Sequence, residues 1–339
     1  MLLTGKEKMK ARGLSLMSGG LDSQLAIKVL ERAGAEVEAV CFATVFFDCA
    51  QAEKTAEALG VKLHKIDFTN ELLRLIENPP HGFGGAMNPC IDCHATMIKK
   101  AGELMERLGF DFVATGEVQG QRPMSQNKQA LGVVEKSSGL RGRLIRPLSA
   151  KLLEPTIPEI EGKIDRDELL DLSGRGRERQ IALALEFGIK EYPSPAGGCK
   201  LTEEGFGRKL KDLLDNEGLG NRELVEMLLI ARRFRLPMKS GVILGRDRND
   251  NAKLKNASHL GTVLAPVNVP GPTALIPEVK STEDFVLAKE LVAAYSRYDR
   301  LKGDVILSIT TDNNGKAVRI EQNVPRPYSR EKFKEYQIC

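Results

Sequence analysis

The stretch LSLMSGGLDSQLAIKVLERAG, residues 14–34, decides the fold. An apolar strand runs into Ser18-Gly19-Gly20, and from Leu21 the apolar residues recur at helical spacing. A strand-to-helix turn needs at most one glycine. A second glycine, flanked by Ser18, Asp22 and Ser23, implies a backbone that something anionic approaches closely. The helix that follows adds the positive end of its dipole. Ser18 and Ser23 offer hydroxyl donors, and Asp22 is placed to hold Mg²⁺ or to orient an attacking group. No Gly-Lys-Ser/Thr follows, so this is not a Walker A loop but another kind of phosphate cradle. An isolated Ser-Gly-Gly reads equally well as a capped turn. The full Ser-Gly-Gly-x-Asp-Ser string after an apolar strand favours phosphate.

Working outward, strands and helices alternate. The helix Leu21 to Ala33 precedes a strand VEAVCFAT (37–44), a helix near Ala50 to Leu59 and a strand VKLHKIDF (61–68). A helix from Asn70 to about Ile76, the loop ENPPHGFGGAMNP and a long helix over 93–109 then lead to the strand DFVATG (111–116). This alternation predicts an α/β fold, a parallel doubly wound sheet with helices on both faces. Ligands of such sheets sit beyond the carboxyl ends of the strands, where MSGG, ATGE and CFAT fall. Residues 160–235 read as mainly helical and rich in charge. From about Met238 short strands take over, interrupted by the helix STEDFVLAKELVAAYSRY with Ser281 as its cap. The expected division is 1–200, a helical connector 201–237, and a smaller α+β domain over 238–339.

The chain has 339 residues and a net charge of +4, with 42% hydrophobic and 28% charged residues. That length supports two real cores, and the charge is compatible with a nucleic-acid partner without demanding one. No stretch approaches the length of a secretory or membrane-spanning segment, so the expected setting is cytoplasmic. Six cysteines there argue against a disulfide framework and towards metal or redox chemistry. Cys90 and Cys93 form a C-x-x-C at the start of a helix, whose dipole is expected to favour thiolate. Cys199 follows two glycines in YPSPAGGCK, Cys41 falls in a buried strand with an inert apolar role, and Cys49 and Cys339 have no supporting context. Three thiolates suffice to hold a [4Fe–4S] cluster with one iron open; the rival is a disulfide or persulfide relay through the same cysteines.

Taken together, SGGLDS, ATGEVQGQRPMSQ (114–126) and LIRPLSAK (144–151) resemble the PP-loop ATP pyrophosphatases of the tRNA thiolation type, in particular the tRNA 4-thiouridine synthases. The resemblance covers roughly residues 12 to 200 and implies an ATP-dependent transferase that forms AMP and pyrophosphate. It implies ATP contacts from Leu16, Met17, Ser18, Gly19, Gly20, Asp22 and Ser23, from Phe42, and from Gly116 and Gln126. It also implies catalysis by Asp22 and a cluster held by Cys90, Cys93 and Cys199. The implied partners are tRNA and a sulfur source, either sulfide or a persulfide donor such as a cysteine desulfurase. The implied reaction is adenylation of a uridine carbonyl, then sulfur transfer that makes 4-thiouridine. An amidating ligase, a small-molecule sulfur transferase and a non-catalytic RNA-binding factor are the alternatives. No counterpart of a THUMP or rhodanese-like domain is visible. GVILGRDRNDNAKLKNAS and VNVPGPTALI are instead similar to the NFACT RNA-binding domain, with Arg232, Arg233, Arg235, Lys239, Arg246, Arg248, Lys253 and Lys255 as candidate phosphate contacts.

Overall fold

A computed structural model describes residues 10–122, 125–194, 199–298, 301–313, 315–326 and 328–339. The chain divides into two compact units, residues 1–84 with 88–199, and residues 85–87 with 200–339. The first unit contains β1 (Arg12–Leu16), α1 (Leu21–Arg32), β2 (Glu36–Ala43), α2 (Ala50–Leu59), β3 (Leu63–Asp67) and α3 (Thr69–Glu77). It continues through α4 (Cys90–Leu108), β4 (Phe112–Ala114), α5 (Lys128–Ser138), β5 (Leu144–Ile145), α6 (Ile157–Ile160) and α7 (Glu178–Glu186).

Its five strands pair in parallel in the order β3-β2-β1-β4-β5, which is the expected doubly wound α/β sheet. The apolar spacing of α1 explains its place. Leu21, Leu25 and Val29 enter one buried cluster with Phe112 and Ile145, while Ile27 joins another with Ala39, Cys41 and Ala52. Strand order reverses at β1, so the loops leaving β1 and β4 flank the crevice where such sheets take ligands.

The second unit contains α8 (Glu204–Asn216), α9 (Arg222–Ile230), β6 (Ala231–Arg235), β7 (Gly241–Gly245), α10 (Arg248–Lys255) and β8 (Thr262–Pro266). It closes with β9 (Ala274–Ile276), α11 (Thr282–Tyr295), β10 (Val305–Asn313), β11 (Lys316–Val324) and β12 (Gln337–Ile338). Seven antiparallel strands run in the order β11-β10-β8-β9-β7-β6-β12. Ala288, Leu291 and Val292 of α11 pack on Phe234, Val242, Leu244 and Leu264 of that sheet. Ser281 caps α11 as expected, its side chain accepting from the Asp284 N–H. The buried Asp284 carboxylate in turn accepts from the backbone of Met238 (3.0 Å) and Ser240 (2.7 Å), fixing the turn between β6 and β7.

Residues 201–237, read as a connector, lie inside this unit, and ARRFR is a strand rather than the end of a helix. Arg233 and Phe234 are buried there, and antiparallel pairing with β7 outweighs the helical pattern upstream. Among the described residues no helix is long and apolar enough to cross a membrane.

Candidate functional site

The loop after β1 has the geometry its composition implies. Gly19 takes φ +81°, in the left-handed region open to glycine, and a Cβ there would collide with the backbone of Gln51 at 2.7 Å. Gln24 Nε2 donates to the Gly19 carbonyl at 3.1 Å, tying the turn to α1. Gly20 is the N-cap of α1, and no side chain caps the helix. Ser23 Oγ instead donates to the Gly20 carbonyl (2.8 Å), and Ser18 Oγ accepts from the Gly20 N–H (3.3 Å). No side chain caps α1 as a capped turn would require, so its first N–H groups are open to an anion.

The loop after β4 closes the other side. A Cβ on Gly116 would meet the Asp22 carbonyl at 2.6 Å and the Ser23 nitrogen at 2.8 Å, so only glycine lets the two loops approach this closely. Gln121 Nε2 donates to Asp22 Oδ2 at 2.8 Å, and the Arg177 guanidinium lies 3.9 Å from Asp22 Oδ1. Asp22 Oδ1, Arg177 Nε and Gln126 Oε1 are buried with no hydrogen-bond partner. Buried polar atoms are normally satisfied, so these are aimed at something other than the protein. Leu16 ends β1 and Met17 is buried, its N–H donating to Val40. The Phe42 ring is buried edge-on against Phe68, which makes the side chain part of the core.

The cysteines sort into two groups. Cys90 and Cys93 lie on the first turn of α4, and the Asn88 amide donates to Cys90 Sγ at 3.2 Å. Burial pushes the Cys93 thiol well above the ordinary range, and the charges of Cys199, Cys90 and Asp92 push it further. At Cys93 burial and like charge thus act against the thiolate that the helix dipole is expected to favour. Cys93 thus lies within electrostatic reach of both Cys90 and Cys199. Among the described residues, however, no three His, Cys, Asp or Glu side chains close into a group able to hold a metal ion.

Cys41 and Cys49 depart from expectation differently. Both are buried and they are disulfide-bonded to each other, with their Cα atoms 6.0 Å apart. Sequence reading left Cys41 inert and Cys49 without context, since the pairing needs β2 and the start of α2 side by side.

A buried network that the sequence did not disclose joins the two halves of the site. Glu117 Oε2 accepts from Arg146 Nε (2.9 Å) and Thr115 Oγ1 (3.0 Å), while Oε1 lies 3.3 Å from His94 Nδ1. Burial alone would raise the Glu117 pKa; the His94 hydrogen bond and the Arg146 charge outweigh it and bring it down to about 2. Glu117 and Arg146 stand in the quoted ATGE and LIRPLSAK segments, but nothing local announces that they pair across 29 residues.

Residues 12–136 match the family described as the tRNA methyl transferase HUP domain. The first unit is a PP-loop HUP domain. Residues 231–337 match the NFACT protein RNA binding domain, which places the second unit among the NFACT domains. A tRNA-specific 2-thiouridylase MnmA of Haemophilus ducreyi is 32% identical, over 68% of this chain and 62% of the relative. Another, of Marinobacter nauticus, is 26% identical over 64% of this chain and 57% of the relative. The chain thus spans 57% and 62% of the length of these relatives. A solved 4-thiouridine synthetase–RNA complex with bound ATP is 22% identical at a TM-score of 0.34, covering 53% of this chain and 52% of that one.

Of the NFACT domain's candidate phosphate contacts, two are spoken for. Arg233 is fully buried, with Nε 2.8 Å from Asp212 and an Nη 2.6 Å from Glu217; Arg235 pairs with the same two acids at 2.8 and 2.9 Å. Both hold α8 to β6 and are withdrawn from any nucleic acid. Arg246 pairs with Asp250 at 2.9 Å, and Lys239 is an exposed turn residue with φ +74°.

Proposed function

We propose that this protein is an ATP-dependent tRNA sulfurtransferase: it adenylates a uridine carbonyl and replaces that oxygen with sulfur. The observation that carries the reading is the uncapped end of α1 with the unpartnered Oδ1 of Asp22 on its first turn, beside a loop that Gly116 keeps close. Backbone N–H groups there would bind phosphate oxygens of ATP, and Asp22, whose Oδ1 accepts no hydrogen bond, would hold Mg²⁺, which would offset phosphate charge. The uridine oxygen attacks the α-phosphorus and pyrophosphate leaves. The oxygen, a poor leaving group, becomes part of AMP. A sulfur nucleophile then attacks the activated carbon, and AMP departs with the oxygen. The NFACT domain supplies the tRNA contacts.

Cys90, Cys93 and Cys199 handle the sulfur in this proposal. Three thiols, two of them within electrostatic reach of Cys93, have the donor chemistry of a [4Fe–4S] cluster, although they do not stand as a closed ligand set among the described residues. Such a cluster, when bound, supplies an open iron that carries hydrosulfide. For the carbonyl, the sequence motifs favour oxygen 4 and the 2-thiouridylase relatives favour oxygen 2.

The test is anaerobic incubation of the protein with ATP, tRNA and sulfide, followed by nucleoside mass spectrometry and ultraviolet spectra. A thiouridine formed with one AMP per sulfur supports the reading, and the spectrum separates the two carbonyls. Asp22→Ala should lose AMP formation by roughly a hundredfold or more, the scale of removing a contact to transition-state charge. Iron analysis alongside decides the sulfur route: full activity with sulfide but without iron removes the cluster and leaves hydrosulfide attacking the activated carbon directly, whereas a persulfide relay would need a donor that already carries sulfane sulfur. AMP formation without any thiolated nucleoside would sink the proposal.

A further inference from the structure

The second unit contains a cavity of about 750 Å³ that its buried ion pairs do not explain. Its wall combines Arg232, Arg248, Lys255, Arg297 and Arg330, and none of these pairs with an acid among the described residues. The single acid on the wall, Asp247, is engaged in capping α10, where it accepts from the N–H groups of Asn249 (2.8 Å) and Asp250 (3.0 Å). Two of the cations are held in place. Arg330 Nε donates to the Ala294 carbonyl at 3.0 Å, and the Arg330 and Arg232 guanidinium groups lie 5.1 and 5.8 Å from the centre of the Tyr295 ring. Asn251 donates to the Gly271 carbonyl and accepts from the Thr273 N–H at 2.8 Å, fixing the loop that forms the opposite wall.

Thr273 adds an independent observation. It lines the cavity, it is 1% exposed, and its hydroxyl has no hydrogen-bond partner. An unsatisfied buried hydroxyl on the wall of a basic cavity awaits an oxygen from a ligand. Burial, and then the charges of Arg246 and Lys200, pull Lys209, which donates to the Ala231 carbonyl of β6, below the ordinary lysine range.

We infer that this cavity binds one or two unpaired nucleotides of an RNA, the arginines and Lys255 taking phosphate oxygens and the Thr273 hydroxyl donating to another oxygen of the same segment. The inference rests on the reading of the second unit as an RNA platform and names the part of the RNA it holds. A duplex carries its phosphates on a convex outside and cannot enter a concave site, whereas unpaired nucleotides can be drawn in. The volume falls within the range of small-ligand pockets, about 300–1,000 Å³.

The experiment measures fluorescence anisotropy of a labelled single-stranded oligoribonucleotide and of a blunt RNA hairpin, using the full chain. Two variants are compared with wild type: Thr273→Val, and the triple Arg248→Ala/Lys255→Ala/Arg297→Ala. The triple variant should bind the single strand at least tenfold more weakly, with a salt slope lower by about 0.7 per lost phosphate contact. Thr273→Val should bind it several-fold more weakly while unfolding at the same or a higher temperature, because the hydroxyl it loses bonds nothing in the fold. Hairpin affinity should stay at the wild-type value. Unchanged single-strand affinity in both variants, or no single-strand binding by wild type, overturns the assignment. Displacement by AMP equimolar with the oligonucleotide overturns it in favour of a free mononucleotide. The thiolation reading fails separately: if wild type makes no thiouridine but the variants lose single-strand binding, the cavity assignment stands alone.

Discussion

Glu117 shows how one side chain organises a site. It is buried, it receives Arg146, Thr115 and His94, and these partners bring its pKa from 4.5 to about 2. A carboxylate depressed in the folded state contributes stability that is complete above its unfolded pKa and lost as pH falls through the folded one. The Glu117 contribution should therefore be intact above pH 4.5 and decay towards pH 2. Glu117→Gln leaves Arg146 partly unpaired in the interior, so a loss of roughly 3 kcal/mol is expected at neutral pH. The variant's stability should also vary less with pH across that acid window. Urea unfolding of both proteins at a series of pH values checks it; parallel acid profiles would remove Glu117 from the acid response.

At the scale of elements, the two loop glycines divide the labour. Gly19 is demanded by the fold, through its positive φ and the Gln51 backbone. Gly20 is not: its φ of −73° and ψ of 164° suit any residue, and a Cβ there would touch only Ser18 Oγ at 3.4 Å. Gly20→Val should accordingly fold with a wild-type melting temperature while ATP binding, read by calorimetry, is lost, because the branched side chain stands over the phosphate site. Retained ATP affinity in Gly20→Val would place the phosphates elsewhere.

β6 makes the opposite point about charge. Arg233 reads in sequence like an RNA contact, yet it is buried between Asp212 and Glu217. Arg233→Ala should cost roughly 3 kcal/mol or more, the scale of breaking a buried pair. In a sample still folded, tRNA affinity should hold. A stable variant with weakened tRNA binding would reverse that assignment.

For the whole molecule, what was legible depended on distance along the chain. The alternating pattern of the first hundred residues and the Ser-Gly-Gly-x-Asp-Ser turn are local signals, and the sheet with its open α1 end follows them. The strand ARRFR was hidden because its register comes from β7 and its arginines answer acids on α8, neither of which the local sequence announces. The Cys41–Cys49 pair, the Glu117 network and the basic cavity are likewise products of elements meeting in space. For the entire chain, a net charge of +4 is compatible with a nucleic-acid partner without demanding one, and the cations concentrated in the second unit are where RNA binding should come from. Full-length tRNA affinity should then fall with salt at a modest log–log slope, about 0.9 for each duplex phosphate engaged. A titration between low and physiological salt measures it; an affinity indifferent to salt would contradict an ionic platform.

Three consecutive residues, Thr115, Gly116 and Glu117, carry obligations to different parts of the first unit. Gly116 touches the backbone of α1 at Asp22 and Ser23, and Glu117 engages His94, next to Cys93 on α4. Any drift in sequence that reshapes the nucleotide loop must pass through the same short segment that seats the cysteine-bearing helix. On the proposed function, adenylation and sulfur handling are therefore not free to diversify independently. A lineage that altered one would have to re-accommodate the other, and the tripeptide is where an engineer seeking to separate the two activities would meet resistance first.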